Sequence, residues 1–142
     1  MKILGIDLGD ARTGVAISDI TGSLARGFRL IEGKGLKKTA SAVAETALEE
    51  GVDTIVIGDP LHMDGTAGER SEKAHAFGKL LEGQLFARGK EDMRIVFFDE
   101  RLTTVEAHEI LQMTGNSDSE HRRKVDMLAS ELILQSYLNT LK

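Results

Sequence analysis

The chain opens on strict alternation. From Lys2 to Gly9, Lys2, Leu4, Ile6 and Leu8 fall on one face of an extended segment, and Ile3, Gly5, Asp7 and Gly9 on the other. Gly9-Asp10-Ala11 supplies a turn, and Thr13 to Ser18 a second strand. After the turn signal Thr21-Gly22-Ser23, Leu24 to Ile31 reads as a third. This spacing predicts an antiparallel meander. The period then changes. Leu36, Ala40, Val43, Ala44, Ala47 and Leu48 recur at helical spacing, and Gly51 is placed to stop the helix. Thr54 to Gly58 is a β-branched run that reads as a buried strand, followed by a glycine-rich loop from Asp59 to Gly68. A helix is predicted over about Glu69 to Ala87, with Ala74, Phe77, Leu81 and Leu85 facing inward, and a fifth strand over Arg94 to Phe98. Thr103 and Glu106 read as the capping box of a helix carrying Val105, Ala107, Ile110, Leu111 and Met113 and ending at Gly115. Asn116 to Ser119 is a polar loop. The last helix starts near Glu120 to Lys124 and runs to about Leu141, with Val125, Leu128, Ala129, Leu132, Ile133 and Leu138 as its buried stripe.

Three strands followed by strands alternating with helices predict an α/β domain: a mixed five-stranded sheet flanked by helices, one unit over residues 1–142. A chain of this length buries about 70% of its unfolded surface, so a core forms without staples. There is no cysteine, which removes disulfides and thiolate zinc sites and suits a cytoplasmic protein. Asp7 and Asp10 break the apolar start, so no signal peptide is expected, and no apolar run reaches the roughly 18 residues of a membrane span. Net charge is −5, with 23 acidic and 18 basic residues, which argues against a generic basic nucleic-acid binder. Local clusters remain, Lys34, Lys37 and Lys38 in one place and Arg122, Arg123 and Lys124 in another. With no Trp and one Tyr, a base-stacking platform is not expected.

Candidate chemistry gathers on three acids. Asp7 is a carboxylate in an apolar strand, which is costly without a compensating cation or donor. It reads either as a metal or phosphate site or as a strand-end residue ordering the turn. Glu100 lies just past the fifth strand and Asp126 near the start of the last helix. In open α/β sheets sites collect outside the strand ends, and three acids meeting there would need a divalent cation. Hard oxygen ligands suit Mg²⁺ or Mn²⁺, as a pair of ions in phosphodiester cleavage. From spacing alone, the plainer reading of Glu100 and Asp126 is ordinary surface acids. The histidines at 62, 75, 108 and 121 lack ligand-like spacing, and His121 reads as a solvated loop residue or an acid–base partner.

Four segments carry a family resemblance. Gly5-Ile-Asp7-Leu-Gly9 with Arg12-Thr-Gly14-Val-Ala16, Val56-Ile-Gly58 with Pro60-Leu-His-Met63-Asp-Gly65-Thr66, Asp99-Glu100-Arg101-Leu102-Thr103-Thr104, and Lys124-Val125-Asp126 with Ala129 together resemble the YqgF, or RuvX, family. The resemblance implies an RNase H-like fold, similarity to RuvC-type Holliday-junction resolvases, and a part in maturing the 5′ end of the 16S ribosomal RNA precursor. It implies Asp7, Glu100 and Asp126 as catalytic metal ligands. It also implies Arg12, Gly65, Thr66 and Arg101 as contacts to nucleic acid. Arg122 and Arg123, a turn or less before Asp126, read either as holding phosphate there or, equally, as a plain solvated basic turn. Two departures stand out. Asp59 replaces an apolar residue, and its charge would weaken phosphate approach. Ala11-Arg12 replaces a Lys-Arg pair. The resulting expectation is a metal-dependent nuclease acting on ribosomal RNA precursor, as monomer or homodimer. The alternatives are a branched-DNA resolvase and a non-catalytic RNA-binding assembly factor.

Overall fold

The computed structural model describes residues 1–33, 35–112 and 120–142. The predicted turns at Gly115 and over Asn116 to Ser119, with Met113 and Lys34, lie outside the described residues. Strands β1 (Ile3–Asp7), β2 (Arg12–Ser18) and β3 (Ala25–Glu32) form the expected meander. Helix α1 (Leu36–Glu50) leads to β4 (Thr54–Asp59), and α2 (Glu69–Ala87) to β5 (Arg94–Asp99). A 3₁₀ turn (Glu100–Leu102), α3 (Val105–Gln112) and α4 (Glu120–Thr140) follow. The sheet order is β3-β2-β1-β4-β5, with β1, β4 and β5 paired in parallel and β2 antiparallel to both β1 and β3. Among the described residues no helix is long and apolar enough to cross a membrane.

Alternation in β1 divides the core as the sequence requires. Leu4 and Ile6 join Val15, Ile17, Ile55 and Ile57 beneath α1 and α2, where Val43, Phe77 and Leu81 pack. Ile3 faces the other way with Ala16 and Val56, beneath Ala129, Ile133 and Leu134 of α4. Each buried aliphatic side chain contributes about 1.5–3 kcal/mol relative to exposure. Gly51 caps α1, its N–H reaching the carbonyls of Ala47 and Leu48.

Two local expectations are corrected. The cap of α3 is Thr104: the Ala107 N–H donates to Thr104 Oγ1 at 3.2 Å, whereas Thr103 Oγ1 turns back to the Glu100 carbonyl at 2.7 Å. The 3₁₀ turn delays the helix by one residue and passes the capping role along. The buried face of α4 is Val125, Asp126, Ala129, Ser130, Ile133, Leu134, Tyr137 and Leu138, while Leu128 is 37% exposed. That face is turned so that two polar residues, Asp126 and Ser130, lie against the sheet. Helix α4 also covers the outer edge of β3, where Gln135 Oε1 accepts from the Ala25 N–H at 2.9 Å and Glu131 Oε1 from the Gly27 N–H at 3.0 Å.

Candidate active site

Asp7 ends β1, the middle strand of the sheet, and its neighbours on both sides are glycines. It pairs with Gly14 of β2, and Gly58 of β4 follows Ile57, the partner of Ile6. These two glycines admit what surrounds Asp7. A methyl group on Gly14 would stand 2.5 Å from the Asp126 carbonyl oxygen. One on Gly58 would stand 2.6 Å from Glu100 Oε2 and 2.7 Å from Ile133 Cδ1. A helix and a carboxylate thus reach the sheet only because both strands lack a side chain there. The glycine on Asp7's own strand, Gly5, admits Leu134 and leaves no ligand space.

The three acids are therefore gathered at one end of the sheet, and all three are buried. Burial pushes the Asp7 carboxyl well above the ordinary carboxylate range; the charges of Glu100 and Asp126 push the same way, and the Arg70 guanidinium opposes them. Burial likewise pushes Glu100 up to about 7, against Arg70 and with help from Asp59 and Asp99. Such a pair stores electrostatic cost that a bound cation relieves. Glu100 and Gly58 line a cleft of about 520 Å³ that runs from the β1–β2 turn to the first turns of α1 and α2.

The expected cations are differently employed. Arg12 has a fully buried side chain, and its Nε donates to Asp126 Oδ2 at 2.7 Å. It faces inward because it shares the Gly14 face of β2, so it is not presented to a phosphate. Arg101 Nη2 and Nε hold Asp99 at 2.7 and 3.0 Å, and Nη1 reaches the Met63 carbonyl at 3.4 Å. Its guanidinium lies beside Gly65, fastening the 62–66 loop to the end of β5. Within that loop Thr66 Oγ1 donates to Asp64 Oδ1 at 2.7 Å, so the expected backbone-contacting residues are held by their own loop. Arg123 pairs with Glu32 at the end of β3, Arg122 is half-buried, and His121 is exposed. Asp59 does not point its carboxylate at the cleft: Ser71 Oγ donates to Oδ1 at 2.5 Å, and His75 Nε2 meets Oδ2 at 2.8 Å. The cleft cations missed in the sequence are Arg70 and Lys73, one turn apart on α2. Their spacing shows in the sequence; their direction does not, because the apolar face of α2 leaves open which polar side turns to the cleft.

Among the described residues, no three acidic or histidine side chains stand close enough to form a metal-ligand cluster, and Asp126 Oδ2 accepts from Arg12. Asp7 and Glu100 nonetheless fit a hard divalent ion: oxygen donors, buried, and mutually repelling.

The family described as "RuvX: Holliday junction resolvase" matches residues 1–140. The chain belongs to the RuvX family. Curated relatives agree along its whole length. A protein of Ruminiclostridium cellulolyticum named "Putative pre-16S rRNA nuclease" is 43% identical over 142 residues, covering 98% of this chain and 94% of its own. One of the same name from Caldanaerobacter subterraneus is 39% identical, covering 100% and 99%. Among solved structures, Thermus thermophilus RuvC in complex with a Holliday junction superposes on the RuvX chain with a TM-score of 0.61 at 13% identity, covering 100% and 97%. The Fowlpox virus resolvase bound to junction DNA gives 0.55 at 13% identity, covering 99% of each chain. These likenesses fix the fold as RNase H-like, as the resemblance implied, and the RuvX chain is a nuclease by family.

Proposed function

We propose that this RuvX chain is a divalent-metal-dependent phosphodiesterase that trims the 5′ end of precursor 16S ribosomal RNA, with Asp7, Glu100 and Asp126 as its metal-holding acids. The observation that carries the reading is the buried, mutually repelling pair Asp7 and Glu100 beside Gly14 and Gly58, with Glu100 on the wall of a cleft. The RNA substrate is suggested by relatives named for pre-16S rRNA that match over the whole chain, and the 5′ end by the family resemblance.

A bound Mg²⁺ or Mn²⁺ would supply Lewis acidity at the phosphate and a water made acidic enough to attack. The protein's own groups set the conditions for it. Glu100, pushed up to about 7 by burial, would have to be deprotonated to hold such an ion, which would make its binding pH-dependent. Asp126 would join Asp7 and Glu100 in holding the ion from the first turns of α4. Buried Arg12 keeps the helix-borne acid pointed at the strand ends. Leu134 fills the space over Gly5 on Asp7's face, and the cleft beside Glu100 would take the sugar–phosphate chain.

Cleavage of precursor ribosomal RNA and of four-way-junction DNA, side by side with Mg²⁺ or Mn²⁺, tests the reading. Asp7→Asn, Glu100→Gln and Asp126→Asn are each expected to lower kcat by at least about a hundredfold, the scale on which single catalytic groups act. Activity that survives all three substitutions belongs to a contaminant and removes the proposal. A second reading, resolution of branched DNA, is favoured by the full-length match to RuvC, and faster cutting of the junction than of the RNA would select it. Asp7→Asn protein that still supports ribosome maturation would instead select a non-catalytic assembly role.

A further inference from the structure

We propose that Arg70 is a substrate-binding residue of the cleft, taking a phosphate of the nucleic acid beside Asp7 and Glu100, and that Asp59 is the positioning residue that seats it. The proposal rests on the nuclease reading for its substrate class but not for its binding geometry.

Arg70 stands in the first turn of α2 and lines the cleft with Glu100, Gly58 and Lys73. It is exposed. Other cations near the acids are committed: Arg12 to Asp126, Arg101 to Asp99, Arg123 to Glu32 and Lys73 to Asp10. Among the described residues Arg70 makes no hydrogen bond or ion pair, yet its charge acts on both Asp7 and Glu100. It is thus within electrostatic reach of the two acids without being bonded to either. An uncommitted guanidinium on the wall of a cleft, with its planar fork of donors free, matches a phosphodiester, which it can hold by two parallel N–H bonds.

Its position is not left to side-chain freedom. Asp59, the last residue of β4, is buried between the strand ends and α2. Ser71, next to Arg70, donates to one of its oxygens at 2.5 Å, and His75, one turn on, meets the other at 2.8 Å. The His75 ring stacks on Phe97 of β5, centroids 4.0 Å apart. The first two turns of α2 are therefore pinned to the same strand ends that carry Gly58 and lead into Glu100. The acidic residue that the sequence suggested would repel phosphate works instead through α2, aiming a cation at the cleft.

Anisotropy of a labelled RNA spanning the precursor 5′ end, and of labelled junction DNA, in chelator and across a salt series, tests this alongside Mn²⁺-dependent cleavage. R70A is expected to bind about tenfold more weakly at low salt, with a salt slope smaller by about one contact. R70K should recover the slope but not the full affinity, because an ammonium lacks the bidentate fork. D59N should weaken binding about threefold in the wild type and add nothing to R70A, a coupling that a merely structural role would not produce. Unchanged affinity and slope in R70A, with an unchanged melting temperature, overturns the proposal. So does full cleavage by R70A where the wild type cleaves, which leaves the nuclease reading standing. Arg70-dependent binding by a wild type that never cleaves removes the nuclease reading and keeps the phosphate role. A wild type that binds neither probe removes both.

Discussion

At the scale of single residues, the candidate site depends on two hydrogen atoms as much as on its charged groups. Gly14 and Gly58 flank Asp7 from neighbouring strands, and what they admit is different in kind. Over Gly58 the nearest atoms are side-chain tips, Glu100 Oε2 and Ile133 Cδ1, which can shift. Over Gly14 the nearest is the backbone carbonyl of Asp126, which cannot move without moving α4. Gly14→Ala is therefore expected to cost about 1–3 kcal/mol, the usual range for overpacking, and to lower activity by displacing Asp126. Thermal melts together with cleavage rates check it; a variant with unchanged stability would mean that the helix is not seated on this strand as described. Asp7 could be picked out in the sequence from its place in an apolar strand, whereas Glu100 and Asp126 read from spacing alone as surface acids and stand out only through the family resemblance. Their glycine neighbours could not be matched to them, because strand partners far apart in sequence leave no mark on local alternation.

At the scale of elements, periodicity carried most of the information. The strands and helices follow the alternation and the helical spacing almost residue for residue, because each buries one face and the period of that face is local. Orientation about the axis is where local reading failed. In α4 the hydropathy stripe is buried at Val125, Ala129, Ile133 and Leu138, but Leu128 turns outward and packing brings Asp126 and Ser130 onto the buried face. A polar pair inside an apolar groove is the mark of function overriding pattern. Helix α3 shows a smaller version: two adjacent threonines compete as caps, and the 3₁₀ turn decides for Thr104. Thr104→Ala should destabilise α3 by about 0.5–2 kcal/mol, visible as faster hydrogen exchange at the Ala107 amide. Thr103→Ala should leave that amide protected.

At the scale of the whole molecule, the cost of collecting acids at one sheet end appears as a pH dependence. Asp7 and Glu100 both hold their protons more tightly folded than unfolded. Their contribution to stability is therefore fully present below the ordinary carboxylate value and is lost as pH rises through the folded value, about 7 for Glu100. Metal-free protein is expected to melt at a lower temperature at about pH 8 than at about pH 5. Glu100→Gln should flatten that difference, and Mn²⁺ should raise the wild-type melting temperature more at the higher pH. A melting profile that rises steadily over the same interval in chelator would contradict the electrostatics described for the pair. The same whole-molecule view explains why Arg70 escaped the sequence reading: its importance lies in what α2 faces after crossing the sheet.

The cover that α4 lays along β3 reaches beyond the catalytic end. With the amides of Ala25 and Gly27 already satisfied by Glu131 and Gln135, that border cannot be extended by an incoming strand at those positions. Pairing of two such molecules along that border has to proceed by surfaces of side chains and not by lengthening the sheet, which shields this side from the ribbon-to-ribbon stacking through which open-sided sheets coalesce.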